Sequence, residues 1–255
     1  MTYTPIGVDF ASVAIIAFFG FFVGLIFYLR REDRREGFPL EADDSGRLQS
    51  EGGFLFHADP KSFVLPFGRG TVSVPNGNRD RRVPAAKRTS VVPGSPSDPV
   101  GNPMTAGVGP GSYAERAKVP DLTAHGDPRI VPLRAAPDFA IASGDRDPRG
   151  FAVLGTDGGR AGSIKDLWVD RGESMVRYLE VELASGQIAL LPITMALIDK
   201  RRKSVKVDAI TAAQFINVPK LEKPDQITFD EEERVAAYYG AGFLYATPDR
   251  LEPLL

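Results

Sequence analysis

FASVAIIAFFGFFVGLIFYL, residues 10–29, is a run of twenty positions without a charge. As a helix it spans about 30 Å, the thickness of a bilayer's hydrocarbon core. A buried soluble helix rarely runs so long without a polar stripe. Six of the twenty are Phe, which suits packing against lipid or another apolar surface. A secretory signal needs a basic n-region, yet the only charged side chain before the run is Asp9, and no Ala-x-Ala pattern follows. The stretch therefore reads as one uncleaved membrane helix. Arg30, Arg31, Arg34 and Arg35 follow at once, interleaved with Glu32, Asp33 and Glu36. Arginines flanking a span stay on the cytoplasmic side. The expected topology is a short outward N-terminus, residues 1–9, and a large cytoplasmic domain, with the four arginines at the membrane interface. Gly20 and Gly24 have a small-xxx-small spacing that lets another helix approach.

Beyond the arginines the chain is polar to about residue 60, with turn signals at Asp44-Ser45-Gly46 and Glu51-Gly52-Gly53. Ser62–Leu65 and Gly70–Val74 read as short extended pieces, stopped by Pro66 and Pro75. From Pro84 to Gly111, eleven of twenty-eight residues are Pro or Gly, a density that excludes helices and central strands. Scattered Val91, Val92, Met104 and Val108 favour an ordered surface segment over a linker. The compact part is expected from about Ile130. Phe151–Leu154, Gly162–Val169, Arg177–Leu183, Gln187–Ile193 and Ser204–Val207 are strand candidates joined by Gly turns. In Arg177–Leu183, Leu179, Val181 and Leu183 share one face, while Glu180 and Glu182 take the other. Five short strands suggest a small antiparallel barrel. Thr228 or Asp230 caps a helix whose Glu231, Glu232 and Glu233 read as a solvated first turn. Val235, Tyr238 and Tyr239 form its apolar stripe, and Gly240 and Gly242 are expected to end it, leaving Phe243–Tyr245 extended.

The expected architecture is a single N-terminal transmembrane helix plus a mainly β cytoplasmic domain and a short C-terminal helix. The divisions are 1–9, 10–29, an extended Pro/Gly-rich segment 30–129, a barrel domain 130–225, and a helix and tail 226–255.

Composition removes several chemistries. The 255 residues are 43% hydrophobic and 25% charged, near globular averages. No cysteine rules out thiolate metal sites, iron–sulfur clusters and Cys nucleophiles, and His57 and His125 are the only histidines. A net charge of -2 gives no sign of a nucleic-acid binder. Gly68-Arg-Gly70 and Gly107-Val-Gly109 lack the strand-to-helix setting of a phosphate loop, and no hydrolase, zincin or calcium-loop motif is present. Arg201, Arg202 and Lys203 form a basic corner of the kind that meets anionic headgroups or solvent. One acidic group stands out: Asp166, Asp170 and Glu173, with Arg177 four residues after Glu173. Crowded carboxylates repel, so one can keep a proton near neutral pH and pass it along a hydrogen-bonded path. Arg177 has the parity of Leu179 and Val181, which aims it at a packed or interfacial face. An ordinary acidic hairpin with a surface ion pair is the alternative. The residues alone also leave open a membrane-tethered adaptor and a single-pass enzyme.

The chain resembles the H subunit of the purple-bacterial photosynthetic reaction centre nearly end to end. The matching stretches are Tyr28-Leu-Arg-Arg-Glu-Asp-Arg-Arg-Glu-Gly37, Phe38-Pro-Leu40, Lys61-Ser-Phe-Val-Leu-Pro66, Gly101-Asn-Pro-Met104, Val108-Gly-Pro110 and Pro120-Asp-Leu122. Trp168-Val-Asp170 and Tyr178-Leu-Glu-Val-Glu-Leu183 fall where the family has its PRC-barrel. The resemblance implies a non-catalytic subunit of a light-driven electron-transfer complex in the chromatophore or inner (cytoplasmic) membrane. Its partners would be membrane lipids and the L and M subunits, with a light-harvesting antenna and a cytochrome subunit as further expectations. Bacteriochlorophyll, bacteriopheophytin, quinones, non-haem iron and a carotenoid would belong to the complex, none of them held primarily by this chain, which supplies no metal ligand. The subunit would also shield the quinone sites and deliver protons to the secondary quinone. The positions that match the proton path are His125, Asp170, Glu173 and Arg177. Asp127 stands where the best-known pattern has a second surface histidine, and Thr123 where an acid can precede the pair. That leaves a two-imidazole proton entrance in doubt.

Overall fold

The computed structural model describes residues 9–38, 40–42, 45, 47–49, 57–78, 80–92 and 94–251. The N-terminal segment before Asp9, expected to face outward, the expected turn at 51–53 and the last four residues lie outside the described residues. The chain divides into two compact units, Met1–Arg81 and Arg82–Leu255.

In the first unit, helix α1 runs Phe10–Glu32, about 34 Å at 1.5 Å per residue. Asp9 caps it, accepting from the Ser12 amide at 2.7 Å. None of its residues is buried by the rest of the chain, as expected where lipid is the solvent. Strands β1 (Leu40–Glu41) and β2 (Leu48–Gln49) pair antiparallel, as do β3 (Lys61–Val64) and β4 (Thr71–Val74). The arginines after the span are committed to protein. Arg31 donates to Asp59 Oδ2 at 3.0 Å and to the His57 carbonyl at 3.3 Å. Arg35 is paired to Glu32 at 2.7 Å and donates to the carbonyls of Asp59 and Val74 at 2.6 and 3.1 Å. Arg34 is buried, its guanidinium 5.2 Å from the Phe38 ring centre, and Arg30 lies 3.5 Å from Asp33.

In the second unit the Pro/Gly-rich stretch carries a hairpin, β5 (Ala86–Arg88) with β6 (Ser97–Pro99). A seven-stranded sheet follows: β7 (Ile130–Pro132), β8 (Ala152–Leu154), β9 (Arg160–Asp170), β10 (Met175–Leu183), β11 (Ile188–Pro192), β12 (Leu197–Asp199) and β13 (Ser204–Lys206). Their order is β11-β10-β9-β8-β13-β12, with β7 also on β9. Helix α2 covers Phe229–Tyr245. The mainly β domain and the two helices stand as expected, and two details of the barrel differ. The path of paired strands has two ends, β11 and β12, with no ladder joining them among the described residues. The pair β8–β13 is parallel, and the chain makes the long connection between them through β9, β10, β11 and β12.

β9 and β10 are central and buried on both faces. The uneven alternation of β9 has a local cause. Ile164 faces Val181 and Asp166 faces Glu180, so Lys165 is an extra residue, a bulge that reverses parity. Ile164 and Leu167 therefore both reach the core. Trp168, Leu179 and Leu191 of the sheet and Val235 and Tyr239 of α2 share one hydrophobic core, all essentially inaccessible. Each such aliphatic side chain contributes about 1.5–3 kcal/mol by leaving water.

Thr228 caps α2 with a reciprocal box. It accepts from the Glu231 amide at 3.2 Å, and Glu231 accepts from the Thr228 amide at 2.8 Å. The helix does not end at Gly240 or Gly242 but continues through Phe243–Tyr245. These glycines mark close approach rather than termination. A Cβ on Gly240 would lie 2.6 Å from the Pro110 carbonyl oxygen, and one on Gly242 2.2 Å from that of Ala209.

Candidate functional site

Two short elements and one hairpin tip build the site. Residues 117–122 run along the start of α2: the amides of Phe229 and Asp230 donate to the carbonyls of Val119 and Ala117 at 3.1 and 3.3 Å, and Pro120 bridges to Thr228. Next comes a tight turn, closed by Thr123 N to Asp127 O at 2.8 Å and Gly126 N to Thr123 O at 3.0 Å. It holds His125 and Asp127 exposed to solvent. The chain then returns through Arg129 into β7, whose Ile130 pairs with Asp170 at the end of β9. The β9–β10 connection completes the site, with Ser174 in the left-handed region at φ 53°.

Arg129 is the hub. Its Nε donates to Asp170 Oδ1 at 2.8 Å, Nη1 to Asp121 Oδ2 at 3.2 Å and Nη2 to Glu173 Oε1 at 2.7 Å. All three guanidinium nitrogens are thus spent on three carboxylates from three places in the sequence. Asp170 is 2% exposed and its Oδ1 also accepts from the amides of Gly172 and Glu173 at 2.9 and 3.1 Å. Burial alone would push its carboxyl up. The Arg129 bond and the two amides outweigh that and hold it below the ordinary carboxylate range. Asp170 is therefore the member kept ionised, and Arg129 is correspondingly held as a cation, chiefly by Asp170.

Sequence spacing pointed to Arg177 as the cation beside Glu173, and the structure gives that place to Arg129. Arg177 is the odd residue of a bulge in β10: Val176 faces Val169 and Tyr178 faces Trp168, with Arg177 unmatched between them. Its parity with Leu179 is thereby lost, and its charge acts instead on Glu232 and Tyr178. Asp166 sits apart from Asp170 and Glu173, in a second network. There Arg134 Nη1 donates to Asp166 Oδ2 at 3.2 Å and Glu180 Oε2 at 2.8 Å, and Trp168 Nε1 to the same Glu180 oxygen at 2.8 Å. Glu180 is 2% exposed. The second face of β10 is thus buried, with a satisfied ionic network beside a cavity of about 270 Å³ lined in part by Arg134, Glu180 and Leu221.

Arg129 carried no signal of its own in the sequence, and the acidic group read there, Asp166, Asp170 and Glu173, did not include Asp121. Glu232, read as part of a solvated helix start, is half-buried and accepts from the Tyr178 hydroxyl at 2.9 Å. Burial pushes its carboxyl up, Tyr178 and Arg177 pull it down, and Asp121 and Asp170 push it up again.

An exposed imidazole and carboxylate beside an ordered carboxylate cluster form a set of groups that can exchange protons with water and relay them. Among the described residues no three His, Cys, Asp or Glu side chains are grouped to hold a metal ion. Comparison with protein families fits this picture of a helix-anchored, sheet-based domain. The model of the photosynthetic reaction centre H-chain N-terminal region matches residues 4–135, and that of the PRC-barrel domain matches residues 141–214. The H chain is a structural subunit that associates with the L and M subunits in a complex with pigments and quinones, and α1 suits a single-pass membrane protein. With more than half of its length matched by the first of these models, the chain belongs to the photosynthetic reaction centre H-chain family.

Proposed function

We propose that this subunit covers the cytoplasmic side of the L and M subunits, shields the quinone sites from bulk water and leads protons to the secondary quinone. The observation that carries the reading is the Arg129 hub, which gathers Asp121, Asp170 and Glu173 directly behind the exposed turn of His125 and Asp127. The quinone, held by the partner subunits, takes up electrons and then requires protons. His125 and Asp127 exchange protons with water; either suffices at an exposed position, so Asp127 serves in place of a second imidazole. Asp170, kept ionised, supplies a fixed negative charge that favours protons nearby without holding one itself. Glu173, whose side chain is 51% exposed and bonded to Arg129, is the group that passes them on. The large domain lies in the cytoplasm, as the arginines after the span require. An antenna and a cytochrome subunit complete the assembly in the inner or chromatophore membrane.

Flash-induced absorbance of the assembled complex tests this. Glu173→Gln should slow the proton-coupled second electron transfer by about a hundredfold, the lower end for loss of a proton-transfer group. The first transfer should change less, and His125→Ala should have a smaller effect than Glu173→Gln. Wild-type second-electron and proton-uptake rates in Glu173→Gln would leave the subunit a structural role only.

A further inference from the structure

We propose that Glu232, paired with Tyr178, is the proton-holding carboxyl of this cluster. The inference rests on the proton-delivery reading above and deepens it.

Four carboxylates share the region, and Arg129 is the cation bonded to three of them. Its three nitrogens go to Asp170, Asp121 and Glu173, at 2.8, 3.2 and 2.7 Å, and none goes to Glu232. Glu232 sits on the first turns of α2, against which residues 117–122 are zipped by the Phe229 and Asp230 amides. It is half-buried, and its bonded partner is the hydroxyl of Tyr178, itself 6% exposed. A phenol gives a carboxylate one hydrogen bond and no compensating charge. The groups acting on Glu232 are Tyr178 and Arg177 from β10, Asp121 from the segment along α2, and Asp170 from β9. Of these Arg177 alone is positive, and it stands opposite two negative charges. Partial burial and the two carboxylate neighbours favour the protonated form, and together they outweigh the Tyr178 hydrogen bond and the Arg177 charge that favour the ionised one.

Tyr178 suits such a group because a phenol donates and accepts. With Glu232 ionised, its O–H donates to Oε2. With Glu232 protonated, the phenol oxygen accepts from the carboxyl, so the contact survives either state. When the cluster delivers a proton, the Glu232 O–H bond breaks and its proton passes through water to Glu173. The Glu232 carboxylate left behind regains a proton from the cytoplasmic side by way of the turn at His125 and Asp127. Charge and atoms balance over the cycle.

The test is infrared absorption of the whole assembled complex, with flash kinetics on the same samples. At pH about 6 a glutamate of ordinary pKa, roughly 4.3, is almost wholly ionised. Wild type should show a protonated-carboxyl band at that pH that disappears in Glu232→Gln, and the second electron transfer should slow by about a hundredfold. Tyr178→Phe removes a donor that favours the ionised form, so the band should persist to higher pH than in wild type. This arm holds even if Glu232→Gln fails to assemble. Glu173→Gln separates the two levels of the argument. If it slows the second electron transfer while Glu232→Gln leaves rate and band unchanged, the role of Glu232 is overturned and proton delivery stands. If neither substitution changes the rate, proton delivery through the cluster falls as well.

Discussion

At the scale of single residues, the decisive contacts join positions far apart in sequence. Arg129 meets Asp170 across 41 residues and Glu173 across 44. Sequence spacing identified Asp170 and Glu173 but set Arg177, four residues after Glu173, beside them, because neither the fold of the 120s onto β9 nor the bulge in β10 leaves a local mark. Asp170 has a testable pH signature. Its carboxyl titrates below the ordinary aspartate range when folded, so the folded protein binds fewer protons than the unfolded chain. Its contribution to stability is therefore full above about pH 4 and is lost as pH falls through the lowered folded value. Asp170→Asn should cost about 1.5–3 kcal/mol at pH 7, the range for hydrogen bonds to a charged group, and little at a pH below the folded value. Trp168 is the only tryptophan and is fully buried, so its emission during denaturant unfolding of the full chain reports both measurements. Equal losses at both pH values would show that Asp170 acts by shape, not charge.

Among elements, period and turn chemistry located most strands to within two residues. β10 begins at Met175 where Arg177 was expected, and β11 is Ile188–Pro192 where Gln187–Ile193 was expected. β7 went unassigned, for its three residues are too few to show a period. Alternation also cannot tell a half-solvated strand from one covered on both sides, which is why Glu180 read as surface. Glycine was ambiguous in the same way: Gly240 and Gly242 have the composition of a helix stop, while their actual role depends on carbonyls of Pro110 and Ala209 that no local window contains. Gly242→Ala should therefore destabilise, although alanine is the better helix former. The backbone approach of 2.2 Å must open, at about 1–3 kcal/mol for overpacking, against a propensity gain of about 1 kcal/mol or less. Ala236, exposed on the same helix, supplies the control. Ala236→Gly should lose about 1 kcal/mol from propensity alone. A net gain in unfolding midpoint for Gly242→Ala would mean that the contact yields freely.

For the whole molecule, the membrane span was the plainest feature of the sequence, since twenty uncharged residues need no tertiary context to be read. Its orientation is a matter for proteolysis. In sealed vesicles with the cytoplasmic face outward, added protease should digest the large domain and leave a protected fragment of a few kilodaltons carrying α1. Full protection of the domain would reverse the topology. The span also has a mechanical character that hydropathy does not express. Arg35 holds the carbonyls of Asp59 and Val74, and Arg31 holds Asp59 and the His57 carbonyl, so the end of α1 and the turn after it are fastened to one end of the β3–β4 ladder, where Lys61 pairs with Val74. The helix stands on a braced foot instead of a loose thread. Any tilt of the span in a thinner or thicker bilayer must lean that hairpin with it, turning membrane thickness into a displacement at the protein surface.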